Sequence, residues 1–462
     1  MARTFHIRTF GCQMNVHDSE RLAGMLIADG LEPAADAEHA DVVVLNTCCI
    51  RENADNKLYG HLGHLKSLRD RRPGMQIAVG GCLAQKDGEA LRRRAGHVDV
   101  VFGTHNLARA PALLRQAAAE GPVVEVLEAA PPDDGQLAHA LSAARDLTYA
   151  AWVTIQTGCD NSCAFCIVPQ VRGAEVSRPF DDVVAEVAAL AARGVTDVTL
   201  LGQNVNSYGR DLTRRRPLFS ALLRAVGAVE GVRRVRYTSP HPKDLRPETM
   251  AAMAETPAVC EHLHLPLQSG SDRVLSAMRR GYTAERYLSR LAAARAAVDD
   301  LAVTTDIIVG FPGETDDDFE RTLEVAAEAA YDSAYTFIFS PRPGTRAAAM
   351  TDRFVPGDVV AERFERLRVV VERSALARHR ARIGGVEEVL VEGPSRRDPG
   401  TVTGRTRQNK LVHFAPPAAG APAEGSYAEV LVREAAPHHL RGVLVGVTAP
   451  ARRRIRIPVS AG

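Results

Sequence analysis

The sequence predicts an α/β protein in three parts: a small doubly wound N-terminal domain, a central partial (βα)6 barrel and a small antiparallel β-barrel at the C-terminus. Three observations predict it. Short apolar runs alternate with helical stretches over residues 3–120. The alternation restarts in longer units near residue 152 and gives six strand–helix pairs. After residue 381 the pattern changes to short β-branched runs separated by Gly and Pro.

In the first part, strands are expected at 5–10, 42–45, 77–79 and 98–102, and helices at 19–29, 54–70 and 88–94. The strand runs are apolar without alternation, as in parallel strands covered on both faces. Residues 121–147, which include Ala129-Ala-Pro-Pro-Asp-Asp-Gly135, read as a linker. In the second part, 148–378, strands are expected near 152–157, 196–201, 233–238, 261–265, 302–309 and 334–340. Helices follow near 180–193, 218–229, 246–256, 283–298, 315–330 and 358–380. Six such units make an incomplete TIM-like barrel, whose sites lie at the C-terminal ends of the strands. The loops that start at Gly202, Ser239, Leu265 and Gly310 belong to that face. In the third part, 379–447, strands are expected at 386–392, 401–403, 410–414, 427–432 and 440–447, before a basic tail at 448–462.

Composition narrows the class. A chain of 462 residues with 45% hydrophobic content has room for two or three domains with real cores. The N-terminal stretch Met1-Ala-Arg-Thr-Phe-His-Ile-Arg8 lacks the apolar run of a signal peptide. No stretch approaches the ~18 apolar residues of a membrane span. Eight cysteines without a disulfide framework fit a reducing cytoplasm. The net charge of +1 hides an asymmetry: Arg378–Gly462 carries 14 Lys+Arg against 7 Asp+Glu. A basic end on an otherwise slightly acidic chain suggests a polyanionic partner.

The cysteines carry the chemistry. Cys159, Cys163 and Cys166 stand in C-x3-C-x2-C spacing, with Phe165 before the last. Three thiolates on one short loop can bind three corners of a four-iron cube and leave the fourth iron open to a small molecule. A zinc site asks for a fourth nearby ligand and C-x2-C pairs, and neither is visible. Cys12, Cys48 and Cys82 each follow an expected parallel strand. Ligands at the C-terminal ends of adjacent parallel strands converge on one sheet edge, so these three suit a second cluster with an open iron. Cys49 adjoins Cys48, and neighbouring side chains on a strand point to opposite faces, so Cys49 is expected in the core or behind the ligands. Cys260 is expected in the core. Gly310-Phe-Pro-Gly-Glu-Thr315 follows a strand but lacks the Gly-Lys-Ser/Thr ending of a phosphate loop.

The cysteine motif resembles the signature of the radical S-adenosylmethionine enzymes. The longer stretches Cys166–Pro179, Leu200–Asn206, Tyr237–Pro242, His262–Ser271 and Thr305–Thr315 are similar to the tRNA methylthiotransferases within that group. The similarity runs from about residue 3 to about residue 446. Residues 381–447 resemble a TRAM domain, a module associated with RNA binding. Two positions depart from the family pattern: Gln170 stands where an aromatic residue is common, and Cys49 where a non-cysteine is usual.

The resemblance implies two 4Fe-4S clusters and S-adenosylmethionine as cofactors. The cluster on Cys159, Cys163 and Cys166 generates a 5'-deoxyadenosyl radical that takes hydrogen from C2 of an adenine. The cluster on Cys12, Cys48 and Cys82 carries the methylthio sulfur. No side-chain acid or base is assigned. The implied substrate is N6-isopentenyl-adenosine at position 37, in the anticodon stem-loop of tRNA, where a base is readily unstacked. Phe165, Gly202, Gln203, Asn204, Gln268, Asp306 and Gly310 are expected at the S-adenosylmethionine or substrate pocket. Arg405, Arg407 and Lys410, in a basic loop of the third part, are expected to bind RNA. Further expected partners are a low-potential electron donor such as flavodoxin or ferredoxin, and iron–sulfur assembly or sulfur-donor proteins. No membrane association is expected, and a monomer is. The alternatives are methylthiolation of threonylcarbamoyl-adenosine or of a ribosomal-protein aspartate, and a non-catalytic iron–sulfur protein that binds RNA or transfers electrons.

Overall fold

The fold is that of a computed structural model describing residues 3–49, 52–128, 143–145, 147–214, 216–417 and 420–452. The chain divides into two compact units. The first comprises Met1–Asp146, Thr157–Asn161 and Cys166–Val176. The second comprises Leu147–Gln156, Ser162–Phe165 and Ser177–Gly462.

The first unit is a parallel sheet in the order β2-β1-β3-β4-β5-β6. Its strands are β1 (Thr4–Thr9), β2 (Glu32–Pro33), β3 (Val42–Thr47), β4 (Gln76–Gly81), β5 (Val100–Phe102) and β6 (Val123–Glu125). The helices are α1 (Gln13–Ala28), α2 (Glu52–Arg71), α3 (Cys82–Arg94), α4 (Ala110–Glu120) and the short α5 (Val168–Arg172). Every residue of β3 and β4 is buried. Val43 and Leu45 enter one apolar cluster and Val42 and Val44 the opposite one, so both faces of the sheet are covered. Three features depart from expectation. Helix α3 starts directly at the end of β4, at Cys82, and three residues separate β1 from α1, which starts at Gln13; each begins six residues before the start of its amphipathic pattern. Helix α4 carries no clear start signal beyond Pro111. Part of the expected linker, 123–125, is an edge strand hydrogen-bonded to β5; 129–142 lies outside the described residues.

The second unit contains the partial barrel. Strands β7 (Ala150–Thr154), β8 (Asp197–Leu201) and β9 (Arg234–Tyr237) pair in parallel, as do β10 (His262–His264), β11 (Ala302–Val309) and β12 (Ser333–Ile338). A bridge between Val235 and Val259 connects the two sets. Alternate strand residues (Val153, Val198, Leu200, Val235, Leu263, Val303, Ile307) face the helices in one continuous core. The intervening helices match the expected ones closely. Asp316–Ala329 opens on a capping box between Thr315 and Asp318.

The third part closes into a five-stranded barrel: β13 (Val386–Pro394), β14 (Val402–Thr406), β15 (Leu411–Phe414), β16 (Tyr427–Ala436) and β17 (His439–Ala449), in the order β13-β14-β15-β17-β16. Four of its pairings are antiparallel and β15–β17 is parallel, a detail that local pattern does not encode.

This small barrel docks on the N-terminal ends of the βα strands. Arg234, the fully buried first residue of β9, donates to the Arg405 carbonyl at 2.7 Å and to the Glu388 carboxylate at 2.9 Å. Arg236 donates to the carbonyls of Thr406 and Arg407 at 2.9 and 3.0 Å. Arg407 forks onto Glu261, just before β10, with both distances 2.7 Å. Lys410 pairs with Asp332, just before β12, at 2.5 Å. Tyr427 donates to Thr196, just before β8, at 3.0 Å. The catalytic end of such a barrel is the opposite one. Among the described residues no helix is long and apolar enough to cross a membrane.

Candidate metal centres

The first cysteine set is built by the ends of β1, β3 and β4, three neighbours in the sheet. Cys12 is the N-cap of α1, Cys48 follows β3 by one residue, and Cys82 opens α3 directly after β4. Two glycines make these turns fit. Gly11 has φ 144°, and a Cβ there would stand 2.6 Å from the Cys48 Cβ. Gly81 has φ 93°, and a Cβ would stand 2.4 Å from Asn46 Oδ1 and 2.5 Å from the Thr47 carbonyl. Buried amides tie the strand ends together. Asn15 donates to the Thr47 carbonyl at 3.2 Å, and Asn46 donates to the Asn15 carbonyl at 2.8 Å and to Ser19 at 2.9 Å.

Four thiols meet here: Cys12, Cys48 and Cys82, and with them Cys49. Cys12 and Cys48 share a hydrogen bond, and so do Cys49 and Cys82. Cys49 is buried in the apolar cluster of Val43, Leu45 and Leu58, as expected of a core residue, although strand alternation is not what puts it there: β3 ends at Thr47, so Cys48 and Cys49 lie in the loop beyond it. The hydrogen bond with Cys48, opposed by burial and aided by the Arg172 charge, brings the Cys12 thiol down to about 6. The bond with Cys49, opposed by burial and aided by Arg172, brings Cys82 to about 7. The same pairing, with burial, pushes the Cys49 thiol well up. Arg172 itself is buried and held by Asp18 at 2.7 Å.

This donor set fits an iron–sulfur cluster. The donors are soft thiols, two of them predisposed to ionise, beside a buried cation that offsets the charge of a thiolate-bound cluster. Among the described residues no three Cys, His, Asp or Glu side chains converge closely enough for a single metal ion. A cube whose thiolates sit on different irons asks for wider spacing.

The second cysteine set lies on the loop after β7. Cys159 and Cys166 fall in stretches of the first unit and Cys163 in a stretch of the second. In the first unit, the Cys159 amide donates to the Gly173 carbonyl at 3.1 Å, and Asp160 accepts from the Glu175 amide at 2.9 Å. In the second, Arg280 donates to Cys163 Sγ at 3.3 Å. Arg280 is buried and also donates to the Tyr282 hydroxyl at 3.1 Å. The next residue, Ala164, is pinned by backbone bonds to Met278 and Ala347. Phe165 packs on the cluster of Ala164, Val274, Met278, Phe311 and Ala347.

The other expected pocket residues fall into two groups. Gly202, Gln203 and Asn204 follow β8 at the C-terminal end of the barrel. A Cβ at Gly202 would stand 2.9 Å from Gln156, which donates to the Asn204 carbonyl at 2.9 Å. The side-chain oxygens of Gln156, Gln203 and Asn204 are buried and have no partner among the described residues. A ligand rich in N–H and O–H donors would satisfy them. Asp306, on β11, keeps a partly open carboxylate 3.4 Å from His264 Nε2. Gln268 and Gly310 have structural partners. The Gln268 backbone, at φ 69°, exchanges hydrogen bonds with Asp306 and Ile308. The Gly310 amide is taken by Glu314 at 2.8 Å, and Arg363 holds Glu314 at 3.0 Å.

The basic loop of the third part needs revision as an RNA contact. Lys410 is 5% exposed and paired to Asp332, and Arg407 is spent on Glu261. Arg405 keeps the most open guanidinium of the three, and it pairs with Glu392 at 3.0 Å. Asp18 and Arg280 carry no sequence signal, because their roles exist only through contacts distant in the chain. The sequence signal for Arg172 is its place six positions beyond Cys166.

Comparison with known proteins accounts for all three parts. Residues 4–103 match the model of "Uncharacterized protein family UPF0004", 153–326 that of the radical SAM superfamily and 380–445 that of the TRAM domain. A solved structure of the radical S-adenosylmethionine methyltransferase TsrM from Kitasatospora setae superposes with a TM-score of 0.54 at 16% identity, covering 75% of this chain and 77% of that one, which speaks to fold alone. The tRNA-2-methylthio-N(6)-dimethylallyladenosine synthase of Salinispora arenicola is 55% identical over 95% of this chain and 87% of its own. That of Nocardia farcinica is 54% identical over 95% and 88%. The synthase 1 of Mycobacterium marinum is 52% identical over 95% and 85%. At this identity over nearly the whole length, the chain belongs to the tRNA-2-methylthio-N(6)-dimethylallyladenosine synthase family.

Proposed function

We propose that this protein is a radical S-adenosylmethionine enzyme that methylthiolates C2 of N6-dimethylallyladenosine at position 37 of tRNA. One observation carries the reading. A chain over half identical to named synthases holds two separate sets of three cysteines, one in C-x3-C-x2-C spacing and one at three adjacent strand ends. The radical SAM superfamily match supports a 4Fe-4S cluster on Cys159, Cys163 and Cys166 with S-adenosylmethionine beside it. The thiol geometry supports a second cluster on Cys12, Cys48 and Cys82. Together these groups supply reductive cleavage of S-adenosylmethionine, hydrogen abstraction from C2 and the methylthio sulfur.

The chain's own residues bind and orient. Arg280 fixes Cys163 by its Nη1 hydrogen bond, and Phe165 closes the apolar side of the loop. Gln156, Gln203 and Asn204 offer three buried acceptors to the donors of the bound cofactor or base. Asp306 and His264 line the same barrel end. The TRAM domain supports tRNA as the partner, with the rest of its surface, beyond Arg407 and Lys410, as the contact face. A reductant such as flavodoxin or ferredoxin, sulfur-supplying proteins and a cytoplasmic location complete the proposal.

Nucleoside mass analysis of tRNA tests it. Cells that lack the gene should accumulate N6-dimethylallyladenosine without its 2-methylthio form, and the gene supplied in trans should restore that form. Unchanged 2-methylthio content on deletion would overturn the reading.

A further inference from the structure

Arg172 belongs by sequence to the radical loop, six residues past Cys166, yet by contact it belongs to the other cysteine set. Helix α5 packs against α3, the helix that Cys82 opens. Ile167 and Val171 enter the same apolar cluster as Cys49, Cys82, Leu83 and Ala84. The Val171 carbonyl accepts from Thr104 at 2.5 Å, and Gly173 lies against the His105 ring. These contacts aim the guanidinium inward. It is 8% exposed, bonded to Asp18 at 2.7 Å, and near enough for its charge to act on both Cys82 and Cys12. Asp18 also acts on Cys82, with the opposite sign and more weakly. The pair is therefore neutral overall but presents its positive end to the thiols.

Reducing a thiolate-bound cluster by one electron adds further negative charge. A fixed cation in a low-dielectric pocket stabilises that reduced state, and the opposing carboxylate moderates the effect.

We propose that Arg172 is a positioning residue for the first cysteine set: its buried guanidinium, held by Asp18, stands beside the thiols and raises the reduction potential of the cluster held there. This inference rests on the reading that Cys12, Cys48 and Cys82 hold a cluster.

The test uses the full chain carrying Cys159→Ala, Cys163→Ala and Cys166→Ala, reconstituted without oxygen, so that one cluster remains. Redox titration followed by electron paramagnetic resonance gives its potential. Arg172→Met should lower the ratio of reduced to oxidised cluster at a fixed poise at least tenfold, about 59 mV for one electron. Asp18→Asn should raise the ratio, and Arg172→Lys should fall between Met and the unchanged chain. Opposite signs for Arg172→Met and Asp18→Asn are the signature that a merely structural role would not give. If Arg172→Met fails to hold iron, Arg172→Lys and Asp18→Asn decide by the same signs. An unchanged potential, or shifts of one sign, overturns the inference. A background chain that binds no iron overturns the cluster reading, and the inference with it.

Discussion

At the scale of single residues, the two cysteine sets make separable predictions. Replacing Cys159, Cys163 and Cys166 with Ala should leave about half of the roughly eight irons of two four-iron clusters and abolish 5'-deoxyadenosine formation. Ala at Cys12, Cys48 or Cys82 should spare that cleavage and stop the methylthio product. Ala at Cys49 should keep the iron, because Cys49 is buried in the apolar cluster of Val43, Leu45 and Leu58. Iron assay with product analysis checks all three; loss of iron from Cys49→Ala but not from Cys48→Ala would exchange their roles. His241 makes a different prediction. Its ring is buried against Tyr282, and its Nδ1 accepts from the Lys243 amide. Burial, then the charges of Arg280, Lys243, Arg290 and Arg210, hold its pKa near 2. The unfolded chain binds a proton below about 6.5 that the folded one does not, so stability falls as pH drops through that value. The slope is up to about 1.4 kcal/mol per pH unit for this residue. His241→Asn, which keeps an acceptor for Lys243, should flatten the acid limb of an unfolding-midpoint profile measured between pH 4 and 7.

At the scale of elements, the C-terminal barrel is more than an appended RNA module. Its β14–β15 hairpin, 402–414, inserts backbone carbonyls and two cations among the strand starts of the βα barrel. Lys410→Met leaves Asp332, 8% exposed, as an uncompensated buried charge and should cost about 3–5 kcal/mol. The double variant Lys410→Met with Asp332→Asn should recover most of it, since both charges then leave together and Asn keeps an acceptor for the buried Val303 amide. Denaturant melts of the single and double variants check this, and equal losses in both would mean that the ion pair is not the cause. Removing the chain from Arg382 onward is accordingly expected to destabilise the βα barrel by exposing Arg234 and orphaning Asp332, as well as to weaken tRNA binding. A truncated protein that melts like the intact one would contradict the docking.

At the scale of the whole molecule, the parts divide the work by position. The doubly wound unit gathers four thiols at one sheet edge, where parallel strands end and helices begin. The βα barrel keeps its orphaned acceptors and its half-open Asp306 at the strand C-terminal end, while the small barrel occupies the opposite end. Gly81→Ala tests how closely the first site is built. The added methyl would meet Asn46 and Thr47 at a φ that L residues rarely adopt. We expect destabilisation and loss of about half the iron, with S-adenosylmethionine cleavage retained. Full iron content in this variant would show that the strand ends can move.

The sequence by itself determined the alternation of strands and helices, the three-part division and the six ligand cysteines as candidates. These are local facts: apolar runs report parallel strands, and thiol spacing within one loop is covalent. It placed Cys49 in the core, but not for a reason that holds, because face alternation lasts only as long as the strand and β3 stops at Thr47. It assigned Arg407 and Lys410 to RNA because a basic loop and a docking loop have the same composition; only the placement of Glu261 and Asp332 tells them apart. It left Arg172 and Arg280 without roles because a buried cation acquires its meaning from partners more than a hundred residues away, Asp18 for one and Cys163 for the other. Tertiary structure decided every one of these points for the same reason. Charge and thiol chemistry are set by what lies within a few ångström, and the chain order does not record that distance.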